Sequence, residues 1–329
     1  MSIELMILVL GILLLAAVFS SKLADRAGVP SLLFFLAVGM LAGSEGFGGI
    51  EFDNPQTAQS VGSLALMVIL FAGGLDTDWK AVKPVLAPGM VMATVGVALT
   101  MLLLGTFAWF MLGTYSAFDL GLGGLSWLEA FLLAAIVSST DAAAVFSVYR
   151  TSPVQPKKKL RYLLEFESGS NDPMAVLLTT SILGIMVGGS GSPSVIVGTL
   201  VGQLLFGGLV GALVGWLAMK LINRMTLSAM GLYPILVFAF GCTAFGLAHL
   251  VGGNSFLAVY VAGLILGNGI KTHHREIMNF HDGLSWLMQI LMFIMLGLLV
   301  FPSRLLPVAG VSIELALFLM FVARPLSTL

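Results

Sequence analysis

Ser31-Leu-Leu-Phe-Phe-Leu-Ala-Val-Gly39-Met-Leu-Ala-Gly43 and Ser255-Phe-Leu-Ala-Val-Tyr-Val-Ala-Gly263-Leu-Ile-Leu-Gly267 carry one pattern twice, at an offset of 224 residues. In each, a serine opens an apolar run and two glycines fall at matching places. The segments that follow also match: Leu-Met-Val-Ile-Leu from Leu66 against Leu-Met-Phe-Ile-Met from Leu291, at an offset of 225. One such pair of glycine-bearing helices arises readily by chance. Two successive pairs at nearly one offset read as an internal repeat.

Composition says what kind of repeat this is. Apolar residues make up 58% of the chain, charged residues 9%, and the mean hydropathy is +1.05, which excludes an ordinary soluble domain. The net charge of −1 gives no reason to expect nucleic acid as a partner. A single cysteine, Cys242, excludes an intramolecular disulfide. The start, Met1-Ser2-Ile3-Glu4, lacks a basic segment and reads as a retained first helix, not a cleaved signal peptide. A membrane span needs about 20 mainly apolar residues, fewer where the helix is broken or buried in protein. Eleven candidates follow, at about 3–21, 30–44, 58–75, 84–113, 127–149, 161–187, 194–219, 230–251, 254–270, 283–301 and 308–329.

Charge orients these spans. Of the 15 basic residues, 13 fall in alternate loops, after spans 1, 3, 5, 7 and 9, with Arg150, Lys157, Lys158, Lys159 and Arg161 the densest group. The opposite loops hold only Arg304 and are acidic or glycine-rich, with Glu45, Glu51, Asp53 and Asp119. Basic loops stay in the cytoplasm, so the N-terminus is expected outside. Span 2 then runs outward and span 9 inward, which makes the repeat inverted, a construction common in secondary transporters. The expected division is a first repeat over 1–187 (spans 1–6), a linking span within 188–229, and a second, incomplete repeat over 230–329 (spans 8–11). Partners for spans 5 and 6 are missing from the second repeat, so the chain reads as a fragment lacking at least two helices.

Charges at membrane depth cost roughly 2.5–3.5 kcal/mol each on insertion scales, so those that persist are functional candidates. Asp141 ends the cluster Ser138-Ser139-Thr140-Asp141 in span 5. Such a cluster can satisfy backbone groups freed by unwinding, and Asp141 can face the positive end of a second half-helix. The structural alternative is an unbroken helix whose hydroxyls bond back to the preceding turn, which leaves Asp141 unexplained. Span 6 carries Glu167-Ser168-Gly169-Ser170-Asn171-Asp172-Pro173, where Glu167, Asn171 and Asp172 share one broad helical face and Pro173 loosens the helix beside the aspartate. Burial disfavours a bare carboxylate, so Asp172 is expected to hold a proton or a cation in turn, the minimum machinery for exchange. The alternative is a proton-shielded structural aspartate. Arg324 in span 11 cannot be neutralised by deprotonation and needs an anion, with Glu167 the preferred partner and snorkelling to the interface the alternative. His273, His274, Glu276, His281 and Asp282 fall in an expected cytoplasmic loop without metal-ligand spacing. Lys157–Lys159 are expected to meet anionic lipid.

Thr140-Asp141 in a broken span 5 and Glu167-Ser168-Gly169-Ser170-Asn171-Asp172 in span 6 resemble cation/proton antiporter family 1, the NhaP-like proteins and animal sodium/proton exchangers. Leu70-Phe71-Ala72-Gly73-Gly74-Leu75 and Ala323-Arg324-Pro325 support the resemblance, and the wording is most similar to the bacterial potassium/proton branch of the "cell volume regulation protein A" type. The resemblance implies an all-α inverted-repeat antiporter fold with a broken crossing helix, thirteen helices per protomer, of which about eleven are present, and a homodimer in the bacterial inner membrane. It implies a cation/proton site of Asp172, Asp141, Thr140 and Ser168, supported by Asn171, Glu167 and Arg324, with no cofactor and no metal beyond an alkali cation. Potassium is favoured over sodium, because many sodium exchangers of the family have glutamate where this chain has Ala72. Asn171 favours electroneutral exchange, because members with aspartate there are associated with electrogenic exchange. A cation channel and a membrane-embedded enzyme are the alternatives. No repeated selectivity-filter loop is visible for the first, and no nucleophile–base or metal constellation for the second.

Overall fold

The structure is a computed structural model describing residues 2–115, 124–141, 156–188 and 193–329. Among these residues all regular secondary structure is helical, apart from one isolated bridge between Gly43 and Ile50. We label the helices α1 (Ile3–Ala27), α2 (Ser31–Ala42), α3 (Pro55–Asp76), α4 (Trp79–Gly113), α5 (Trp127–Ile136), α6 (Lys158–Met186), α7 (Pro193–Ile222), α8 (Leu232–Leu250), α9 (Ser255–Gly269), α10 (His274–Leu299) and α11 (Pro302–Thr328). Seven of them, α1, α3, α4, α7, α8, α10 and α11, are long and apolar enough to cross a membrane, and α2, α5 and α9 are shorter apolar helices. Outward-facing Ile7, Phe19, Leu209 and Phe321 are more than half exposed, a surface suited to lipid and not to water. The chain is a multi-pass membrane protein.

Local chemistry sets many of the ends. Ser2 caps α1 by accepting from the Leu5 N–H, and Gly28 stops it in the left-handed conformation at φ 66°. Asn54 caps α3 through Thr57, with Pro55 in the first turn where its missing N–H costs nothing. Ser126 and Glu129 form a reciprocal capping box on α5. The second half of span 5, 142–149, lies outside the described residues, as do Asp119 and Arg150.

The helices fall into two packed groups. The first is α1, α2, α3, α7, α8, α9 and α10, built around Phe71, Val214, Val237, Val259 and Leu266, all buried. The second is α4, α5, α6 and α11, with Val97, Ala135, Ala175 and Leu178 in its core. Across the boundary α6 lies against α3, α7 and α9.

Within the first group, two close crossings mirror each other. A Cβ added to Gly39 on α2 would strike the Ile294 carbonyl on α10, and one on Gly297 would strike the Leu36 carbonyl on α2. Likewise a Cβ on Gly263 of α9 would meet the Phe71 carbonyl on α3, and one on Gly74 would strike the Tyr260 carbonyl on α9. The contacts pair Phe71 with Ile294 and Gly74 with Gly297, an offset of 223, two residues away from the 225 read off the apolar letters. Leu, Met, Val and Ile are interchangeable in such a match, whereas a backbone approach that only glycine permits fixes the register.

One expectation is corrected here. Residues 274–282 are not a solvated loop: α10 begins at His274, nine residues before the expected start of the span. His281 is 1% exposed, with Phe71 and Phe280 packed edge-on against its ring. The polar letters hid an amphipathic helix in which Ile277, His281, Ser285 and Gln289 recur every four residues on the buried face.

Candidate functional site

The second group exists to hold one polar cluster. α5 ends at Ile136, and residues 137–141 continue without helical structure. The Ser138 hydroxyl bonds back to the Ala135 carbonyl at 2.8 Å, while its own carbonyl, freed by the unwinding, accepts from Arg324 Nη2 at 2.6 Å. Unwinding below α5 thus creates an acceptor, and α11 supplies the donor.

Arg324 also donates from Nη1 to Glu167 Oε1 at 3.2 Å, an ion pair with Glu167 buried and Arg324 partly buried. From Glu167 the network spreads. Asn171 Nδ2 donates to Glu167 Oε1 at 3.0 Å and to Thr140 Oγ1 at 2.7 Å. Thr140 Oγ1 lies 2.9 Å from Ser168 Oγ and 3.3 Å from Glu167 Oε2. The i, i+4 spacing of Glu167 and Asn171 lets both side chains meet Thr140 on one face of α6. Five of the seven expected residues, Thr140, Glu167, Ser168, Asn171 and Arg324, therefore form one bonded cluster.

The other two expected residues are Asp141 and Asp172. Both line a cavity of about 450 Å³ between the two helix groups, with Ser139, Leu66 and Ile69 of α3, Thr179 and Thr180 of α6, and Gln289 and Phe293 of α10. Ser139 is within hydrogen-bonding reach of the half-buried Asp172, while Asp141 is exposed. The cavity residues of α6 lie C-terminal to Asp172. Three side-chain oxygens are buried without a partner among the described residues: Asn171 Oδ1 beside the cluster, Ser170 Oγ on the same helix, and Gln289 Oε1 on the cavity wall. The sequence reading missed Gln289 because it searched the spans for charge. An amide in an apolar helix, four residues after Ser285, was the available signal.

The arrangement combines one neutralised acid–base pair, two carboxylates on an accessible cavity, and hard oxygen donors around them. That chemistry suits an alkali cation or a proton. Among the described residues no group of three or more His, Cys, Asp and Glu side chains could hold a metal ion. Glu165, four residues from Arg161, pairs with it at 2.6 Å near the surface, away from this cluster.

Residues 10–329 match the family described as sodium/hydrogen exchanger, transmembrane. The chain is 41% identical over 328 residues to the K(+)/H(+) antiporter NhaP of Alkalimonas amylolytica, covering all of this chain and 55% of that protein. It is 41% identical over 321 residues to the K(+)/H(+) antiporter NhaP2 of Shewanella oneidensis, covering 97% of this chain and 54% of that one. The chain thus spans about half the length of these curated relatives. Its fold is that of the sodium proton antiporter MjNhaP1 of Methanocaldococcus jannaschii, with a TM-score of 0.76 at 24% identity, over 98% of this chain and 77% of that one. The chain belongs to the sodium/hydrogen exchanger family of transmembrane proteins.

Proposed function

We propose that the full-length protein exchanges a monovalent cation for a proton across the bacterial inner membrane, one for one and without net charge movement. The observation that carries this reading is the contrast within α6: Glu167 is tied to Arg324, whereas Asp172, five residues on, faces the cavity. Glu167 and Arg324 cancel, and Asn171 adds no charge. Asp172 then binds either a proton or a cation, and each loaded form is neutral at that site. A bare carboxylate at membrane depth is unfavourable, so only the loaded forms change sides. That restriction couples the two fluxes.

Asp141 lines the same cavity and offers a second carboxylate to an arriving cation. Thr140 and Ser168 hold the unwound segment against α6, with hydroxyl oxygens close to the ion's path. Potassium is favoured over sodium, supported by Ala72 in place of an acidic side chain and by two relatives named as potassium/proton antiporters. The channel and membrane-enzyme alternatives have no such support.

The mirrored crossings of α2 with α10 and of α9 with α3 support an inverted repeat, with residues 1–187 as the first unit, 188–229 linking, and 230–329 as the counterpart of the first four spans. The placement of basic residues supports an external N-terminus. We take the functional unit to be a homodimer, as the family resemblance implies.

Counter-transport in vesicles loaded with each cation tests the reading. An imposed pH gradient should drive potassium uptake, with sodium less effective, and an imposed voltage should change the rate little. Flux driven by voltage without a pH gradient would contradict the stoichiometry.

A further inference from the structure

Asn254 sits where α7, α9 and α6 meet, and it hydrogen-bonds to all three helices. Its backbone N–H donates to the Gln203 carbonyl of α7 at 2.8 Å. Its side-chain Oδ1 accepts from the Leu257 N–H at 2.9 Å and caps α9. Its Nδ2 donates to the Pro173 carbonyl of α6 at 3.0 Å. The first two bonds lie inside the α7–α9 group. The third crosses to the other group and lands on the residue after Asp172.

Asn254 is 6% exposed, and the backbone of α7 closes over it so tightly that a Cβ at Gly207 would strike its carbonyl. It cannot shift without disturbing α7 and α9 together. Capping does not explain the choice of side chain, since serine and aspartate cap a helix as well as asparagine. Only the amide adds a donor to the capping oxygen, and that donor is used on α6.

We propose that Asn254 is a positioning residue of the exchange cycle, whose amide holds the helix carrying Asp172 at one height against the α7–α9 group and so stabilises the access state with the cavity open. The proposal rests on the exchange function proposed above. Alternating access moves Asp172 from one side to the other, and a bond joining its helix to the opposite group belongs to one of the two states. Losing that bond shifts the population toward the other state, and apparent affinity follows the population of the competent form.

The test is Asn254→Ser in the full-length protein, with cation KM measured in vesicles of both orientations. Serine keeps the cap but is too short to reach the Pro173 carbonyl. The KM on the cavity side should rise and the KM on the opposite side should fall, their ratio changing about three- to tenfold, the range of one hydrogen bond. Asn254→Asp, which keeps the cap and turns an acceptor toward that carbonyl, should shift the ratio the same way. It carries the test should the serine variant fold poorly. Thermal stability close to wild type with both KM values unchanged, or both moving in one direction, would overturn the proposal. Asp172→Asn is measured alongside. Antiport retained there would overturn the exchange reading itself, whatever the Asn254 variants do.

Discussion

Helices α6 and α10 cross the bundle with polar side chains on their buried faces at the same four-residue spacing, yet they solve the problem of burial differently. On α10 the stripe is His281, Ser285 and Gln289, free of carboxylates, and its hydrogen bonds stay on the helix: His281 Nδ1 bonds to the Ile277 carbonyl at 2.8 Å and Gln289 Nε2 donates to Ser285 at 3.2 Å, while His281 Nε2 and Gln289 Oε1 have no partner among the described residues. On α6 the stripe contains Glu167 and Asp172, and no basic residue of the helix shares that stripe. Glu167 therefore draws Arg324 from α11, and Arg324 in turn closes the broken end of α5 through Ser138. The charge on α6 thus organises three elements, whereas the polar face of α10 organises only itself. Among the described residues no basic side chain pairs with the other acid of the stripe, Asp172, and it faces the cavity.

The comparison breaks most visibly at Glu167. Glu167→Ala leaves Arg324 buried without its anion and should cost about 3–5 kcal/mol of stability, read from the thermal unfolding of the purified protein in detergent. Gln289→Met removes a neutral group of similar volume whose Oε1 already lacks a donor. It should change stability by less than about 1 kcal/mol. Equal losses in the two variants would mean that charge is not what separates the helices.

A third carboxylate, Glu45, sharpens the contrast because it lies in water. It accepts from the Ser303 N–H at 2.8 Å and from the Ser303 hydroxyl at 2.5 Å, joining the loop after α2 to the first turn of α11. The Ser303 hydroxyl first, then its N–H, hold this carboxyl below the ordinary glutamate range. A lowered value in the folded state means that the contribution is present at neutral pH and disappears as the pH falls through that value. Glu45→Gln should therefore give the smallest effect of the three, visible near neutrality and absent in acid. A difference that grew on acidification would contradict the assignment.

Much of this was legible in the letters, for physical reasons. The apolar runs and the basic loops followed from the cost of charge in lipid. The end of α5 at Ile136 followed from Ser138, Ser139, Thr140 and Asp141 interrupting an apolar run. The start of α10 was not legible, because His274, Arg275 and Glu276 look like a loop until the burial of Ile277 and His281 reveals a helical face. The register of α3 against α10 was missed by two residues, since glycine contacts and not apolar letters decide it. Gln289 was missed because a neutral amide carries no charge signal, although its position on the cavity wall is as telling as that of Asp141.

Proton and cation share Asp172 in this account, so acidification should raise the apparent cation KM and leave the maximal rate nearly constant. A fall in maximal rate at constant KM would instead separate the two binding sites. The most direct measurement is potassium-driven proton exchange by Asp172→Asn in the full-length protein, reconstituted in liposomes beside the wild type. Amide and carboxylic acid are nearly isosteric, so the variant should fold with wild-type stability and show no exchange at any pH. Exchange retained by a folded Asp172→Asn protein would remove this residue as the carrier and leave Asp141 as the carboxylate on the cavity.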